Sequence, residues 1–262
     1  MTRDLKWTSL NLYIDDGAIL ACGKTWTEDE SSLIAAYTSC ASWLDRSGLK
    51  VEPDKTELMY FRRRHEKIDP PGQILLPQSP QHPQQGTYKV TAVHRLRYLG
   101  FFIDHKLRWE HHVNMMCNRA RASIKGLQLL GNSVRGIDFA QWRLAYNAIC
   151  LPVLTYGCQL WYTGKQKKLA NKLQVVQNEG VRLIAGAFKT APRELLHQMF
   201  NILPIDLRLW LMTDNSALRL YRLQTSSQVL LRLGGDWAPN PQEPIPTPAR
   251  KRAKTALRAL AS

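Results

Sequence analysis

The sequence lacks the patterns that mark a secreted, zinc-binding or membrane-spanning protein. Its five cysteines form no C-x-x-C pair and no paired zinc-ligand spacing, and no secretory signal precedes them. Residues 144–164 carry no charge, but Asn147, Pro152 and Gly157 make this run a poor membrane span. We therefore expect reduced thiols, a buried helical hairpin over 144–164, and a soluble intracellular protein of the nucleus or cytoplasm that is not secreted and has no membrane partner.

The sequence is also short of acidic residues. Among 262 residues, 36 Lys and Arg outnumber 21 Asp and Glu, which leaves a formal net charge of +15. This excess favours a polyanionic partner, nucleic acid first and an acidic membrane surface second. A merely basic and soluble surface is the alternative.

The run NLYIDDGAIL places two adjacent aspartates before a glycine, between two stretches of strand-forming residues. Residues 9–14 and 18–22 predict two strands around a tip made of Asp15, Asp16 and Gly17. Asp-Gly is a strong hairpin signal because the turn requires positive φ. On local evidence the pair is an acidic turn, and half of a metal site is the alternative.

A helix over a small antiparallel sheet is predicted for the next segment. Thr27 and Glu30 have the spacing of a capping box, and Gly48 suits the end of the helix. A short strand, a Pro-Asp turn and a second strand are predicted up to Phe61. The order of strands around one helix indicates an α+β layer.

The remainder of the chain changes character twice. Residues 62–87, rich in Pro and Gln, predict a flexible insertion, and YKVTAV with RYLGFFID predicts a second hairpin. Helical periodicity follows, and beyond residue 223 a proline-rich basic tail is expected to be disordered. Helices are predicted over residues 110–130, 137–149, 166–185, 192–200 and 204–223.

Four ordered segments resemble the reverse transcriptase of LINE-type retrotransposons, which lack long terminal repeats, in a form common in fungi. These are YIDD (13–16), GLKVEPDKTELMYF (48–61), RYLGFFIDHKLRWEHHV (97–113) and LPVLTYGCQLWY (151–162). The resemblance runs from about residue 5 to residue 223. It implies a partial polymerase palm over 1–104, a helical thumb or connection region over 105–223, and a tail over 224–262.

The resemblance implies a metal role for the two aspartates. Asp15 and Asp16 correspond to the adjacent carboxylates of the palm, with Asp15 as the main ligand of Mg²⁺ or Mn²⁺. Nucleotidyl transfer uses two divalent cations that bind the attacking and leaving oxygens. Mg²⁺ prefers such hard oxygen ligands. The partners would be an RNA template and a DNA primer, or an RNA–DNA hybrid.

The resemblance also implies roles for four residues outside the acidic pair. Lys55 matches a lysine that neutralises or protonates the leaving pyrophosphate, and an exposed lysine is the alternative. Leu99 and Gly100 match a primer grip, where a simple β-bulge is the alternative. Tyr13 would lie beneath the primer strand, or pack as an ordinary strand residue.

Basic side chains of the first long thumb helix and the segment after it are candidates for phosphate contacts, with a solvated helix face as the alternative. His111 and His112 are adjacent and point about 100° apart on a helix, a poor metal pair. We expect His112 to act at the helix entry. The candidate phosphate ligands are Arg119, Arg121, Lys125 and Arg135.

The resemblance leaves parts of a polymerase unmatched. An upstream strand with a third carboxylate, the nucleotide-checking helix and the fingers are expected to be missing. We therefore predict a part of a reverse transcriptase that is inactive alone and that a complementing chain could complete. A nucleic-acid-binding module without chemistry and a non-functional remnant are the alternatives.

Overall fold

The computed structural model describes residues 7–61, 69–78, 86–129 and 138–222. The chain divides into two compact units, Met1–Arg108 and Trp109–Ser262. Within the described residues the first unit combines hairpins with one long helix, and the second unit is helical. The fold class is α+β, as the sequence predicts.

The first unit contains three separate two-stranded antiparallel sheets, β1–β2, β3–β4 and β5–β6, among its described residues. One long helix, α1, packs against the first two of them. The elements are β1 (Trp7–Tyr13), β2 (Asp16–Cys22), α1 (Trp26–Arg46), a 3₁₀ turn (Pro53–Lys55), β3 (Gln73–Pro77), β4 (Thr87–Thr91), β5 (Arg95–Tyr98) and β6 (Phe101–Asp104).

The tip of the first hairpin is shorter than the predicted Asp15, Asp16 and Gly17 and lies earlier in the chain. Tyr13 pairs with Asp16, so the two-residue loop consists of Ile14 and Asp15. The positive φ falls on Ile14, at 55°, and not on the Asp-Gly pair. Gly17 lies in β2, where an added Cβ would be 3.3 Å from the Leu12 side chain. Gly17 therefore allows close packing against Leu12 on the paired strand and is not required by the conformation of the turn.

The N-cap of helix α1 lies two residues before the predicted one. Thr25 is the N-cap, and its hydroxyl accepts a hydrogen bond from the Glu28 backbone N–H at 3.3 Å. The Glu28 carboxylate accepts from the Lys24 backbone N–H at 2.9 Å. The T-x-x-E spacing recurs at Thr25 and Glu28, but only the Thr25 half of a capping box forms, because Glu28 bonds to the residue before the cap; the predicted placement at Thr27 is wrong. Gly48, with φ at 76°, follows the end of the helix as predicted.

Two further strand predictions of the first unit are wrong. Between α1 and Phe61 the chain forms a 3₁₀ turn and a single bridge between Leu58 and Ala92, not two strands. The insertion predicted over 62–87 contains β3, whose Ile74 and Leu76 are buried. Strand β4 therefore pairs with β3, and RYLGFFID folds on itself as β5–β6.

The core of the first unit lies between α1 and the β3–β4 hairpin. The Tyr88 hydroxyl donates a hydrogen bond to the Tyr37 hydroxyl at 3.0 Å, and Trp26 packs edge-on against Tyr60 at 5.5 Å between ring centroids. Ile19 of β2 packs against the same cluster. The buried members are Tyr37, Ala41, Leu58, Tyr60, Ile74, Leu76 and Val90.

The second unit is a bundle in which α6 is the central element. Its helices are close to the predicted ones, and residues 144–164 fold into short helical segments that bury most of their apolar side chains, although Leu144, Ile149 and Tyr156 are exposed. In the part of the chain that the structure describes, no helix is long and apolar enough to cross a membrane. The elements are α2 (Glu110–Gln128), α3 (Phe139–Ala145), a π-helical turn (Tyr146–Cys150), α4 (Leu151–Leu154), α5 (Cys158–Trp161), α6 (Lys167–Ala185), α7 (Arg193–Met199) and α8 (Ile205–Tyr221).

Close packing around α6 fixes the bundle. Leu173 and Val176 have no exposed surface, and α2, α7 and α8 all pack on this helix. Gly180 lets the Tyr146 ring approach so closely that an added Cβ would be 2.4 Å from it. Arg135, the basic tail over 224–262 and residues 62–68 and 79–85 of the predicted insertion lie outside the described residues.

Candidate nucleic-acid and metal site

The β1–β2 hairpin presents its acidic tip at an exposed end. Asp15 is the second residue of the two-residue loop, and Asp16 opens β2 opposite Tyr13. Directly paired residues place their side chains on the same face of a sheet, so Tyr13 and Asp16 share one face. The structure therefore brings together three of the residues that the sequence analysis assigns to the site, Tyr13, Asp15 and Asp16.

The surface of this hairpin tip is apolar apart from the two carboxylates. Ile14 is 89% exposed, Leu12 61% and Tyr13 59%, and both aspartates are exposed. A β-branched residue with positive φ is an outlier, and such conformations occur at functional sites when the surroundings impose them. Here the two-residue loop between paired strands imposes it on Ile14.

The donor atoms of the hairpin tip suit a hard cation, but their number is low. Asp15 and Asp16 offer carboxylate oxygens, the ligands that Mg²⁺ and Mn²⁺ prefer. Among the described residues no group of three or more His, Cys, Asp or Glu could hold a metal ion. Mg²⁺ sites commonly combine one or two carboxylates with substrate phosphates. The pair therefore fits one cation shared with a substrate better than a site made by protein alone.

Lys55 is the last residue of the 3₁₀ turn and is exposed. The turn is closed by its own backbone, because the Lys55 N–H donates to the Glu52 carbonyl at 3.2 Å. Pro53 fixes φ at the start of this turn and accounts for its position. The turn therefore fixes the backbone position of Lys55 in the first unit. The role of the Lys55 side chain stays a prediction.

Leu99 and Gly100 form the two-residue loop of the β5–β6 hairpin and are not a β-bulge. Tyr98 pairs with Phe101 across the loop, and the φ values of Leu99 and Gly100 are 47° and 82°. Two consecutive positive φ values are the pattern of a type I′ turn, which glycine favours at its second position. The Arg97 guanidinium lies 6.0 Å from the centroid of the Phe102 ring on the same hairpin.

The three basic residues of α2 do not share one face. Arg121 and Lys125 are one turn apart and lie on the same side, whereas Arg119 is about half a turn away. Arg121 is paired with Glu179 of α6, with its Nε donating to Oε2 at 3.0 Å and its Nη2 to Oε1 at 3.1 Å. Both side chains of this ion pair are about 40% exposed, at 39% and 41%. Arg121 thus also joins two helices, while Arg119 and Lys125 are exposed.

His112 is buried at the start of α2 and is part of the core, not of a metal site. It has no exposed surface, and its Nε2–H donates to the Tyr156 carbonyl at 3.0 Å. Burial lowers the pKa of this imidazole, and the neighbouring Arg119 and His111 act in the same direction. The expectation of a helix-entry residue agrees with this position near Trp109, whose ring centroid is 5.9 Å away.

The buried thiols of the second unit are not nucleophiles. Burial raises the pKa of Cys150 to about 11 and that of Cys158 to about 12, so both stay protonated near neutral pH. The chain's five cysteines all lie within the described residues, and none is bonded to another, as the sequence predicts.

The sequence analysis does not single out a cavity in the second unit that several basic residues line. Arg182, Lys189 and Arg193, together with Glu194, line this basic cavity, a shallow depression of about 390 Å³ that is open to solvent. It lies where α6 ends and α7 begins. The signal in the sequence was the pair Phe188-Lys189, an aromatic residue beside a basic one, in a predicted loop between Gly186 and Pro192. The structure shows that both residues are exposed.

Comparison with known proteins identifies what the chain resembles. It is 25% identical over 213 residues, 81% of the chain, to the probable RNA-directed DNA polymerase from transposon BS of Drosophila melanogaster. It is 28% identical over 39% of the chain to that of transposon X-element, and 25% over 67% to that of mobile element jockey, both from the same fly. The predicted resemblance to LINE-type reverse transcriptases is confirmed.

This reverse-transcriptase-like chain is much shorter than those relatives. It spans 22%, 11% and 18% of the BS, X-element and jockey proteins. No family model and no solved structure matches it. The relatives are insect proteins, so the fungal affinity stays a prediction.

Proposed function

We propose that the chain supplies the metal-binding hairpin of the palm and the thumb of a retrotransposon reverse transcriptase. The palm part is assigned to 1–104 and the thumb or connection region to 105–223. The observation that carries the proposal is the β1–β2 hairpin, which displays Asp15 and Asp16 beside Tyr13 in a chain similar to RNA-directed DNA polymerases.

The proposed chemistry is the transfer of a nucleotide to a primer 3′-hydroxyl along an RNA template. A bound Mg²⁺ or Mn²⁺ would lower the barrier by stabilising negative charge on the reacting phosphate. Asp15 and Asp16 bind and orient that cation, and Tyr13 supports the primer end on the same face of the hairpin. Lys55 neutralises the departing pyrophosphate, while Leu99 and Gly100 position the primer backbone.

The chain alone is proposed to be inactive. Two adjacent carboxylates leave a like-charge pair that binds a divalent cation weakly unless further ligands complete the site. The missing ligands and the fingers would come from elsewhere in a longer polypeptide or from a complementing chain. The setting would be the nucleus or cytoplasm, where template and primer are available.

Primer extension tests this proposal. The purified chain is mixed with a primed RNA template, deoxynucleotides and Mg²⁺ or Mn²⁺, and we expect no extended product. A hybrid-binding assay is run beside it, in which we expect affinity that falls steeply with salt. Extension that Asp15→Asn abolishes would show that the chain is active alone. Failure to bind primed hybrid at low salt would overturn the proposed function.

A nucleic-acid-binding module without chemistry is the second candidate. The net charge of +15 favours it. In that case Mg²⁺ would not strengthen hybrid binding. Asp15→Asn would change neither the affinity for the hybrid nor its response to Mg²⁺. If the proposed function holds, Mg²⁺ strengthens binding of primed hybrid in the wild-type chain and has less effect in Asp15→Asn.

A further inference from the structure

The basic cavity of the second unit has the charge of an anion site. Three cations and one carboxylate, Arg182, Lys189, Arg193 and Glu194, leave it an excess of positive charge. Its volume of about 390 Å³ falls in the range of small-ligand sites, roughly 300 to 1,000 Å³, so a unit the size of one nucleotide fits.

The three cations of this cavity are not engaged in ion pairs with described residues, in contrast to other basic residues of the same unit. Arg121 is paired with Glu179, and Lys172 donates to Glu110 at 2.6 Å. Within the described ranges, none of the three cavity cations forms an ion pair. The Arg182 Nε is enclosed by protein and has no hydrogen-bond partner there, so packing and not a carboxylate holds this side chain at the cavity wall.

An exposed aromatic residue, Phe188, directly precedes the lining residue Lys189 in the sequence and does not itself line the cavity. Phe188 is 85% exposed and precedes Lys189 in a tight turn that the Ala191 N–H closes by donating to the Phe188 carbonyl at 3.1 Å. Ala187 and Ala191, on either side of the turn, pack against the core. The turn is therefore fixed at both ends while the Phe188 ring faces solvent. Packing in the core does not explain why an aromatic residue lies at this position.

We propose that the basic cavity and Phe188 together bind single-stranded nucleic acid. A phosphodiester group lies in the cavity against Arg182, Lys189 and Arg193, and the neighbouring unpaired base stacks on the Phe188 ring. Positively charged grooves combined with aromatic platforms are the usual means of binding single strands. A base in a duplex has both faces covered by its neighbours, so an exposed phenyl ring favours an unpaired strand. The proposal rests on the proposed function and adds a site for unpaired template.

Fluorescence anisotropy of a labelled single strand of about ten nucleotides, with RNA and DNA versions, tests the site in the full chain. We expect Lys189→Gln and Arg193→Gln each to weaken binding about fivefold at roughly 0.1 M salt, and to lower the salt slope by about 0.7. Phe188→Ala should weaken binding by roughly 5- to 100-fold, and Phe188→Trp should restore it. Glu194→Gln should tighten binding by roughly twofold or more, because it removes the opposing charge.

Lys168→Gln is the matched control. Lys168 is an exposed lysine at the other end of α6, 14 residues or about 21 Å from Arg182, and its removal should change affinity less than twofold. Arg182→Lys keeps the charge and shows whether the partly buried guanidinium is required. All variants are first compared by far-UV circular dichroism, and the exposed positions Phe188, Lys189 and Arg193 carry the test if Arg182 variants fail to fold.

The outcomes separate this site from the proposed function. Equal losses for Lys168→Gln and the cavity variants, or no effect of Phe188→Ala, would overturn the inference and leave primed-hybrid binding as a separate result. Direct binding of inorganic phosphate that Lys189→Gln and Arg193→Gln abolish, with single-strand binding unchanged in those variants, would assign the cavity to free phosphate and also overturn the inference. A third outcome is that the wild-type chain does not bind primed hybrid, while the cavity variants lose single-strand binding. This outcome would support the site and contradict the proposed function.

Discussion

The two units of the chain differ in the size of their hydrophobic cores. Among the described residues, 7 buried apolar side chains form the core of the first unit, and 23 form that of the second. The first unit has three isolated two-stranded sheets, a form that is marginally stable without added packing. The second unit buries the central helix α6 on several sides. The difference shows that the helical unit has the core to hold a shape by itself, whereas the hairpin unit mainly displays its acidic tip.

A cavity in the helical core should give the largest effect. Leu173 is fully buried on α6, so Leu173→Ala should lower the free energy of unfolding of the second unit by about 2–5 kcal/mol. Leu195→Ala, at a position 52% exposed, should change it by less than about 0.5 kcal/mol. Urea unfolding followed by circular dichroism measures both. Similar small losses for the two variants would contradict a tightly packed bundle.

Two glycines of the same unit should respond to the same substitution with opposite signs. Gly180→Ala places a methyl group 2.4 Å from the Tyr146 ring and should destabilise by about 1–3 kcal/mol. Gly126→Ala meets no atom within 4 Å in helix α2 and should stabilise by about 0.5–1 kcal/mol. Thermal melts of both variants provide the measurement. A stabilising Gly180→Ala would mean that Tyr146 is not packed where the structure has it.

Acidification should weaken the helical unit through His112. Burial holds the pKa of this imidazole below the ordinary value of about 6.5, so the unfolded chain binds a proton that the folded chain does not. The stabilising contribution is complete above pH 6.5 and is lost as the pH falls below it, by up to about 1.4 kcal/mol per pH unit. Urea midpoints between pH 8 and pH 5 measure this loss. His112→Gln should remove this part of the slope, and His111→Gln should retain most of it, because burial lowers the His112 pKa more than the neighbouring His111 does.

The smallest effect should come from the ion pair between α2 and α6. Arg121 and Glu179 are both partly exposed, and such pairs contribute about 0.2–1 kcal/mol. Arg121→Lys loses the bidentate geometry and should cost less than about 1 kcal/mol in a urea titration. A loss of several kcal/mol would show that polar contacts, rather than the apolar core, hold the two helices together.

Helices of the second unit were predictable because their apolar periodicity agrees with the packing. The boundaries of α6 and α8 differ from the predicted ones by one or two residues. Buried helical faces repeat every 3.6 residues, and long repeats of that kind leave little ambiguity. The Arg121–Glu179 pair was not predictable, because it joins residues far apart in the sequence.

Short strands of the first unit were harder to predict because their pairing depends on distant partners. Strand β3 lies in a Pro- and Gln-rich stretch, and only its pairing with β4 and burial of Ile74 and Leu76 define it. The hairpin of Asp15 was correct as a hairpin, but its register was not. The Asp-Gly signal predicted a tip at Asp15, Asp16 and Gly17, whereas pairing along the whole of β1 and β2 places the loop at Ile14 and Asp15.

The most direct measurement of the central claim is Mn²⁺-induced line broadening in the ¹⁵N-labelled chain with primed RNA–DNA hybrid bound. The account predicts that low concentrations of Mn²⁺ first broaden the amide signals of residues 13–17, and that Asp15→Asn removes this broadening. Broadening that leaves this hairpin unaffected, or that is unchanged in Asp15→Asn, would contradict the assignment of Asp15 and Asp16 as the metal-binding carboxylates.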